Sequence, residues 1–164
     1  MMKVAVIMGS ASDADVLAPC AETLRALSIP FEVRVLSAHR TPEAAARFAE
    51  KARENGFGVL IAAAGKAAHL AGTLAAHTTL PVIGIPVPTD LAGGLDSLLS
   101  MVQMPGDVPV ATVGAGMGGP RNAGILAVQM LALADPTLRQ KLVEFKKELV
   151  QKITQKNEAF QKTL

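Results

Sequence analysis

The residues best suited to chemistry are His39 and Arg40, which stand side by side in the segment Val-Leu-Ser-Ala-His-Arg-Thr-Pro at residues 35–42. An imidazole exchanges a proton near neutral pH, and a guanidinium is a fixed cation whose fork fits phosphate or carboxylate. The segment joins a β-branched run to an amphipathic stretch opened by proline, and open α/β sheets hold their ligands at such junctions. A solvated turn without function is the simpler interpretation of these two residues. The rest of the chain must show whether they belong to a binding site.

A second polar segment, Gly-Ser-Ala-Ser-Asp at residues 9–13, also follows an apolar run. Its glycine lets a ligand approach the backbone, and the following helix N-terminus offers N–H groups to a phosphate. Ser10 could add a hydroxyl, whereas Asp13 would repel phosphate and suits a ribose diol better. Helix capping explains the same residues at least as well, and the segment matches neither a Walker A loop nor a dinucleotide fingerprint.

A third segment, residues 64–69, combines Gly and Ala with a closing histidine. The small residues permit a flat ligand to lie against the backbone. His69 is either a second polar contact of the site or a hydrogen-bond partner at a helix end, and we favour the helix-end role. His77 is interpreted as structural or exposed.

Several other kinds of site are disfavoured by the spacing of the reactive residues. The three histidines fall on separate predicted loops without metal-ligand spacing, so no metal site is expected. A serine hydrolase would require a G-x-S-x-G elbow, and the receiver domain of a response regulator would require clustered acids after the first strand. Residue chemistry alone therefore predicts a domain that binds a small phosphorylated ligand, and a ligand that contains a ribose is favoured. The site would have one candidate acid/base.

Composition favours one domain with a real core among the 164 residues, of which 50% are hydrophobic. Aromatic residues make up only 3% and the net charge is +2, which gives little basis for nucleic-acid binding. A single cysteine, Cys20, excludes an intramolecular disulfide. Without a secretory signal or an apolar run of the ~20 residues needed to span a bilayer, we expect a cytoplasmic protein.

Apolar runs alternate with helical patterns about five times, which predicts a parallel sheet covered by helices on both faces. We expect a flavodoxin-like, three-layer α/β/α fold with five strands. Pro19 falls inside the first predicted helix, where it should cost about 3 kcal/mol or bend the helix. The predicted strands are residues 4–8, 31–36, 58–63, 81–87 and 108–113, and helices are expected to end near residues 55, 76, 103 and 134.

A long C-terminal helix is predicted from residue 135 onward. Asp135 and Pro136 form a helix start, and an apolar stripe recurs every three or four residues after them. We divide the chain into a flavodoxin-like catalytic domain, 1–134, and a helical extension, 135–164. Packing of the stripe on its own domain and packing on another subunit both remain open, and the length of the tail supports the second.

Five motifs in order resemble the class I family of N5-carboxyaminoimidazole ribonucleotide mutases of de novo purine synthesis. The resemblance covers about residues 3–134. The motifs are Met8-Gly9-Ser10-Ala11-Ser12-Asp13, Ser37-Ala38-His39-Arg40-Thr41-Pro42, Ala67-Ala68-His69-Leu70, Asp96-Ser97-Leu98-Leu99-Ser100 and Val102-Gln103-Met104-Pro105.

This resemblance implies a homo-octamer with active sites at subunit interfaces, and transfer of a carboxyl group from the exocyclic nitrogen of the ribonucleotide to ring carbon C4. It implies no ATP, metal or organic cofactor. By position, Ser10, Asp13 and Arg40 would bind the ribonucleotide and His39 would be the general acid/base. Residues 64–68 and 102–105 are expected walls of the pocket. Further expected substrate-binding residues are Gly9, Ser12, Ser37, Ala38, Gly65, Ala67, Ala68 and His69.

The chain departs from the family pattern mainly in the third loop, where Lys66 stands at a position usually held by glycine. Ala14 replaces a common aromatic, and residues 116–122 also differ. Two alternatives remain open: a class II carboxylase that fixes carbon dioxide directly, and a nucleotide-binding module without activity. The second motif and the Gln-Met-Pro segment favour the mutase, and His39 argues against the inactive module.

Overall fold

Five strands alternate with helices along the chain, as the apolar runs predict. The structure is a computed structural model and describes residues 2–164. Strands β1 to β5 comprise Lys3–Met8, Phe31–Val35, Phe57–Ala64, Val82–Pro86 and Ala111–Thr112. Helices α1 to α6 comprise Ala14–Ala26, Pro42–Lys51, Leu70–Ala76, Leu95–Val102, Gly118–Leu131 and Pro136–Gln161, and a 3₁₀ turn, Ala11–Asp13, precedes α1.

All strand pairs are parallel, and the strand order is β2-β1-β3-β4-β5. The predicted flavodoxin-like sheet is therefore confirmed. After β1 the chain crosses to β2 on one side, and then returns to β3 on the other side. In such sheets the ligand crevice lies at the carboxyl ends of the strands, where the order reverses. The fold therefore directs attention to the loops that follow β1 and β3.

Helices cover both faces of the sheet and form three layers. Helices α1 and α5, with the beginning of α6, pack on one face, and α2, α3 and α4 pack on the other. Strand β3 is buried along all eight residues, as expected for a central strand whose two faces are covered. Strand β2 is at an edge, and Val33 and Val35 are about half exposed. Within residues 2–164, no helix is long and apolar enough to cross a membrane.

Strand β5, at one edge of the sheet, and the helix that follows it differ from the predicted bounds. Strand β5 has only two residues, because Pro109 lacks an N–H and weakens the ladder on its N-terminal side. Helix α5 begins at Gly118, within the glycine-rich run of residues 114–119. Pro120 is tolerated there, since the first turn of a helix leaves N–H groups unpaired. At Gly119 an added Cβ would lie 2.0 Å from the Gly114 carbonyl oxygen, so this tight turn requires glycine.

Helix α1 continues through Pro19. The proline removes one backbone hydrogen bond within the helix, but the helix does not end there. One turn later the Thr23 hydroxyl donates a hydrogen bond to the Pro19 carbonyl oxygen at 2.7 Å. Helix α1 therefore accommodates Pro19 without ending.

Helix α6 begins where Asp135 and Pro136 predict. The Asp135 carboxylate accepts hydrogen bonds from the backbone N–H groups of Thr137 and Leu138 at 2.9 and 3.2 Å. Leu138 is buried, and residues 142 and 145 pack partly against the same core. From residue 150 onward every side chain is exposed. The first third of the helix thus packs on its own domain, and the remainder extends beyond it.

Candidate active site

A cavity of about 550 Å³ lies at the carboxyl ends of β1 to β4. Four loops line it, one after each of these strands, because parallel strands end at the same edge of a sheet. The lining consists of Gly9, Ser10, Asp13, Ser37, Ala38, His39, Arg40, Ala64, Gly65, Lys66, Ala67, His69, Leu70, Val87, Pro88 and Thr89. The three polar segments singled out in the sequence therefore meet in one place.

The loop after β1 places Ser10 and Asp13 at the cavity. The Ser10 hydroxyl oxygen accepts hydrogen bonds from the backbone N–H and the hydroxyl of Ser12, at 3.3 and 2.8 Å. Serine capping of the 3₁₀ turn is thus present beside the cavity. Burial raises the pKa of Asp13 above its ordinary 3.8, although hydrogen bonds with Ser10 and Ser12 and the charge of Arg40 oppose the shift. Asp13 is therefore a partly desolvated acceptor.

Arg40 connects the first two loops. Its Nη2 donates a hydrogen bond to the Gly9 carbonyl oxygen at 2.7 Å, and its backbone N–H donates to the Ser37 hydroxyl at 3.1 Å. Thr41 does not cap α2 with its side chain. Instead, its hydroxyl accepts from the Ser37 N–H at 2.9 Å. This turn holds the guanidinium against the β1 loop, at the lining of the cavity.

His39 and His69 contact each other across the cavity. The His39 Nε2 atom lies 2.8 Å from the His69 Nδ1 atom, and the rings meet edge to face at 85°. His69 precedes α3, but its side chain makes no capping hydrogen bond. The favoured helix-end role for His69 is therefore wrong, and its partner is the other histidine.

The loop after β3 is held by helix α4. The buried Ser97 hydroxyl donates to the Val87 carbonyl oxygen at 2.8 Å and accepts from the Lys66 N–H at 3.0 Å. Asp96 accepts from the Thr89 hydroxyl at 2.6 Å and from the Ser97 N–H at 2.9 Å. These bonds, led by the one from Thr89, lower the pKa of Asp96. The Asp-Ser motif thus joins the third and fourth loops.

The fourth loop contributes Val87, Pro88 and Thr89 to the cavity, and the sequence reasoning assigned it no role. Its position after β4 was the available signal, because every strand of a parallel sheet ends at the same edge. Two expected site residues lie outside the lining. Ser12 is exposed beside Ser10, and Ala68 is buried in the core.

One further segment and one histidine lie away from the cavity. The 102–105 segment does not line it, and Met104 packs over Gly72 of α3 instead. The expectation that this segment forms a wall is wrong for the single chain. His77 is exposed and lies 3.2 Å from a carboxylate oxygen of Glu50. Within residues 2–164, no group of three or more His, Cys, Asp or Glu residues is arranged to hold a metal ion.

The matches to known proteins extend over nearly the whole chain. The model of the AIR carboxylase family matches residues 3–152. A protein of Mycobacterium tuberculosis named N5-carboxyaminoimidazole ribonucleotide mutase is 54% identical, over 98% of this chain and 91% of the relative. The protein of the same name from Bacillus subtilis is 49% identical, over 94% and 96% of the two chains.

A solved structure shares the architecture. The crystal structure of Treponema denticola PurE superposes with a TM-score of 0.86 at 26% sequence identity, and covers 94% of this chain and 96% of that one. Close relatives and a common fold thus agree with the motifs around the cavity. Because the family model spans nearly the whole chain, the protein belongs to the AIR carboxylase family.

Proposed function

We propose that the protein is a mutase that moves the carboxyl group of N5-carboxyaminoimidazole ribonucleotide from the exocyclic nitrogen to ring carbon C4. The observation that carries this proposal is the contact between His39 and His69 in the cavity that Arg40 also lines. A titratable pair beside a fixed cation supports proton transfer on an anionic ligand. In this proposal the reaction uses no ATP, metal or organic cofactor.

The ribonucleotide is bound by the loops after β1 and β2. Arg40 and Ser10 hold the phosphate, and Asp13 accepts from the ribose hydroxyls. Support comes from the Arg40–Gly9 hydrogen bond, which brings the guanidinium to the first loop, and from the shared cavity. Binding energy from the phosphate and ribose then orients the ring at His39, which converts remote contacts into correct positioning.

In the first half of the reaction, the bond between the exocyclic nitrogen and the carboxyl carbon breaks. The electron pair of that bond stays on nitrogen, and carbon dioxide leaves as a neutral molecule. Protonated His39 gives its proton to the nitrogen and becomes neutral. This step produces the unmodified aminoimidazole ribonucleotide and a base positioned for the second half.

In the second half, C4 of the electron-rich ring attacks the carbon of the bound carbon dioxide. A carbon–carbon bond forms, and C4 becomes tetrahedral while it still carries its hydrogen. Neutral His39 removes that proton, the ring recovers its aromaticity, and His39 is protonated again. The proton count closes over the cycle, as general acid/base catalysis by one imidazole requires.

His69 keeps the pair in a productive arrangement. Only one proton can lie between Nε2 of His39 and Nδ1 of His69, so one nitrogen donates and the other accepts. When His39 is protonated, both of its ring nitrogens carry hydrogen, so its Nε2 atom donates to Nδ1 of His69. His69 is therefore the acceptor when His39 carries the catalytic proton.

Retention of carbon dioxide requires a closed pocket, and His39, Arg40 and His69 are exposed in the single chain. We propose that neighbouring subunits of a homo-octamer cover this cavity. Exposed apolar side chains on the distal part of α6, among them Val150, Ile153 and Phe160, provide a surface for such contacts. The extension 135–164 would then pack on its own domain at its start and on another subunit beyond it.

The test is a paired assay of the full-length protein. One arm supplies the N-carboxylated ribonucleotide, and the other supplies the unmodified ribonucleotide with bicarbonate. Efficient formation of the C4-carboxylated product in the first arm only is the expected result. Efficient turnover in the second arm would establish a carboxylase instead, and turnover in neither would favour a binding module.

A further inference from the structure

Lys66 has a backbone conformation that is unusual for a lysine. Its φ angle is +59°, in the left-handed region that glycine occupies readily and that side chains with a Cβ rarely adopt. A residue held in such a conformation is a reason to look for function. Lys66 also lines the cavity of the proposed mutase site, so its side chain is the feature to explain.

The backbone of Lys66 is held on both sides by helix α4. Its N–H donates to the buried Ser97 hydroxyl at 3.0 Å, and its carbonyl oxygen accepts from the Ser100 hydroxyl at 3.3 Å. Because Ser97 also donates to the carbonyl oxygen of Val87, directly after β4, the loop is tied to the edge of the sheet. The lysine side chain therefore leaves from a fixed point at the cavity, and its flexible stem lets the ammonium adjust to a ligand.

The two cationic side chains of the cavity, Arg40 and Lys66, come from different loops. Arg40 follows β2 and contacts the loop after β1, where Asp13 also lies. Lys66 follows β3 and is tied to the end of β4. In the strand order β2-β1-β3-β4-β5 the two cations therefore approach the crevice from opposite sides. His69 is on the same loop as Lys66 and contacts His39, the neighbour of Arg40 in the sequence.

The proposed substrate carries two anionic groups at its two ends, a phosphate and the carboxylate on the exocyclic nitrogen. With the phosphate at Arg40, the geometry points to Lys66 as the residue that binds the migrating carboxylate and selects carboxylated ribonucleotides over the unmodified one. This inference rests on the proposed function. An ammonium stabilises the carboxylate of substrate and product alike, so Lys66 acts in substrate selection and carries no proton in the reaction.

The test separates charge from backbone conformation. Lys66→Asn removes the cation with a residue that tolerates the left-handed region, Lys66→Gly removes the whole side chain, and Lys66→Arg keeps the charge. Equilibrium binding is measured for the C4-carboxylated product and for the unmodified ribonucleotide, and steady-state kinetics for the N-carboxylated substrate. Lys51→Asn, on α2 outside this cavity, is the matched control.

Loss of the cation should weaken binding of the carboxylated ligand and raise KM by about tenfold, with binding of the unmodified ribonucleotide nearly unchanged. The kcat value should not fall, because the carboxylate loses its charge as carbon dioxide leaves and the contact with Lys66 is weaker in the transition state than in the bound substrate. Lys66→Arg and Lys51→Asn should resemble the wild type. Equal loss for both ligands, or no loss in Lys66→Asn, would overturn the inference. A wild type that discriminates in binding but does not turn over would overturn the proposed function alone.

Discussion

His39 Nε2 and His69 Nδ1 lie 2.8 Å apart, although thirty positions separate the two residues in the sequence. The contact joins the loop after β2 to the loop after β3, across the crevice where the strand order reverses. One imidazole donates and the other accepts, so the position of the shared proton depends on both rings. The proposed acid/base is therefore a histidine whose ring orientation and tautomer depend on a second histidine.

Arg40→Ala should weaken binding of the phosphorylated ribonucleotide by about tenfold or more, because a hydrogen-bonded ionic contact is lost. The effect should disappear with the corresponding nucleoside, which has no phosphate. Calorimetric titration of both ligands measures the difference. Arg53→Ala is the control, since Arg53 contacts Thr79 and lies outside the cavity. An unchanged dissociation constant for the ribonucleotide would refute the phosphate role.

Asp13→Asn should stabilise the protein near pH 7 while it weakens ribonucleotide binding. Burial raises the pKa of Asp13, so the folded protein holds this proton more tightly than the unfolded chain does. The stabilising contribution is full below pH 3.8, the ordinary value, and is lost as the pH rises through the raised pKa. At neutral pH the partly buried carboxylate therefore lowers the free energy of unfolding, and replacement by the uncharged amide removes this effect.

Thermal unfolding of the Asp13 variant at about pH 7 and about pH 3 checks this sign. The gain in Tm should be present at the higher pH and shrink at the lower one. Glu54→Gln, an exposed acid outside the cavity, controls for the loss of one negative charge. A Tm gain that is independent of pH, or binding that is unaffected, would contradict a desolvated functional carboxylate.

Removal of residues 147–164 should reduce the oligomeric state and leave the fold of the domain intact. Leu138, Leu142 and Phe145 remain in this truncation and keep the packing of α6 on its own domain. Light scattering measures the assembly, and circular dichroism measures the helix content and Tm. Ile153→Glu tests the apolar stripe directly, and Lys152→Glu beside it is the control. An undiminished oligomer in the truncated protein would show that the distal helix makes no essential subunit contact.

The sheet and the identity of the main loops could be predicted from the sequence, because continuous apolar runs such as residues 58–63 predict buried strands and all parallel strands end at one edge. Contacts between distant side chains could not. No local pattern pairs His69 with His39, and a helix-end role suited its position equally well. The left-handed conformation of Lys66 depends on Ser97 and Ser100 of α4, which lie far away in the chain.

Edge elements were also difficult to predict, for a physical reason. A central strand is specified by burial on two faces, whereas β5 has a neighbour on one side only and shortens to two residues beside Pro109. The fourth loop of the cavity was missed because Val87, Pro88 and Thr89 have no acid/base or strongly ionic group. These residues contribute to the shape of the cavity, which can be recognised only when the ends of the strands are brought together in the fold.

The most direct test of the account is turnover by His39→Asn with the N-carboxylated ribonucleotide. Asparagine can still make a hydrogen bond but cannot carry the proton. We expect kcat to fall by about a hundredfold or more, as is typical for loss of a general acid/base, with ligand binding and assembly retained. His77→Asn, an exposed histidine beside Glu50, should have wild-type activity. Turnover at the wild-type rate in His39→Asn would contradict the assignment of His39 as the acid/base.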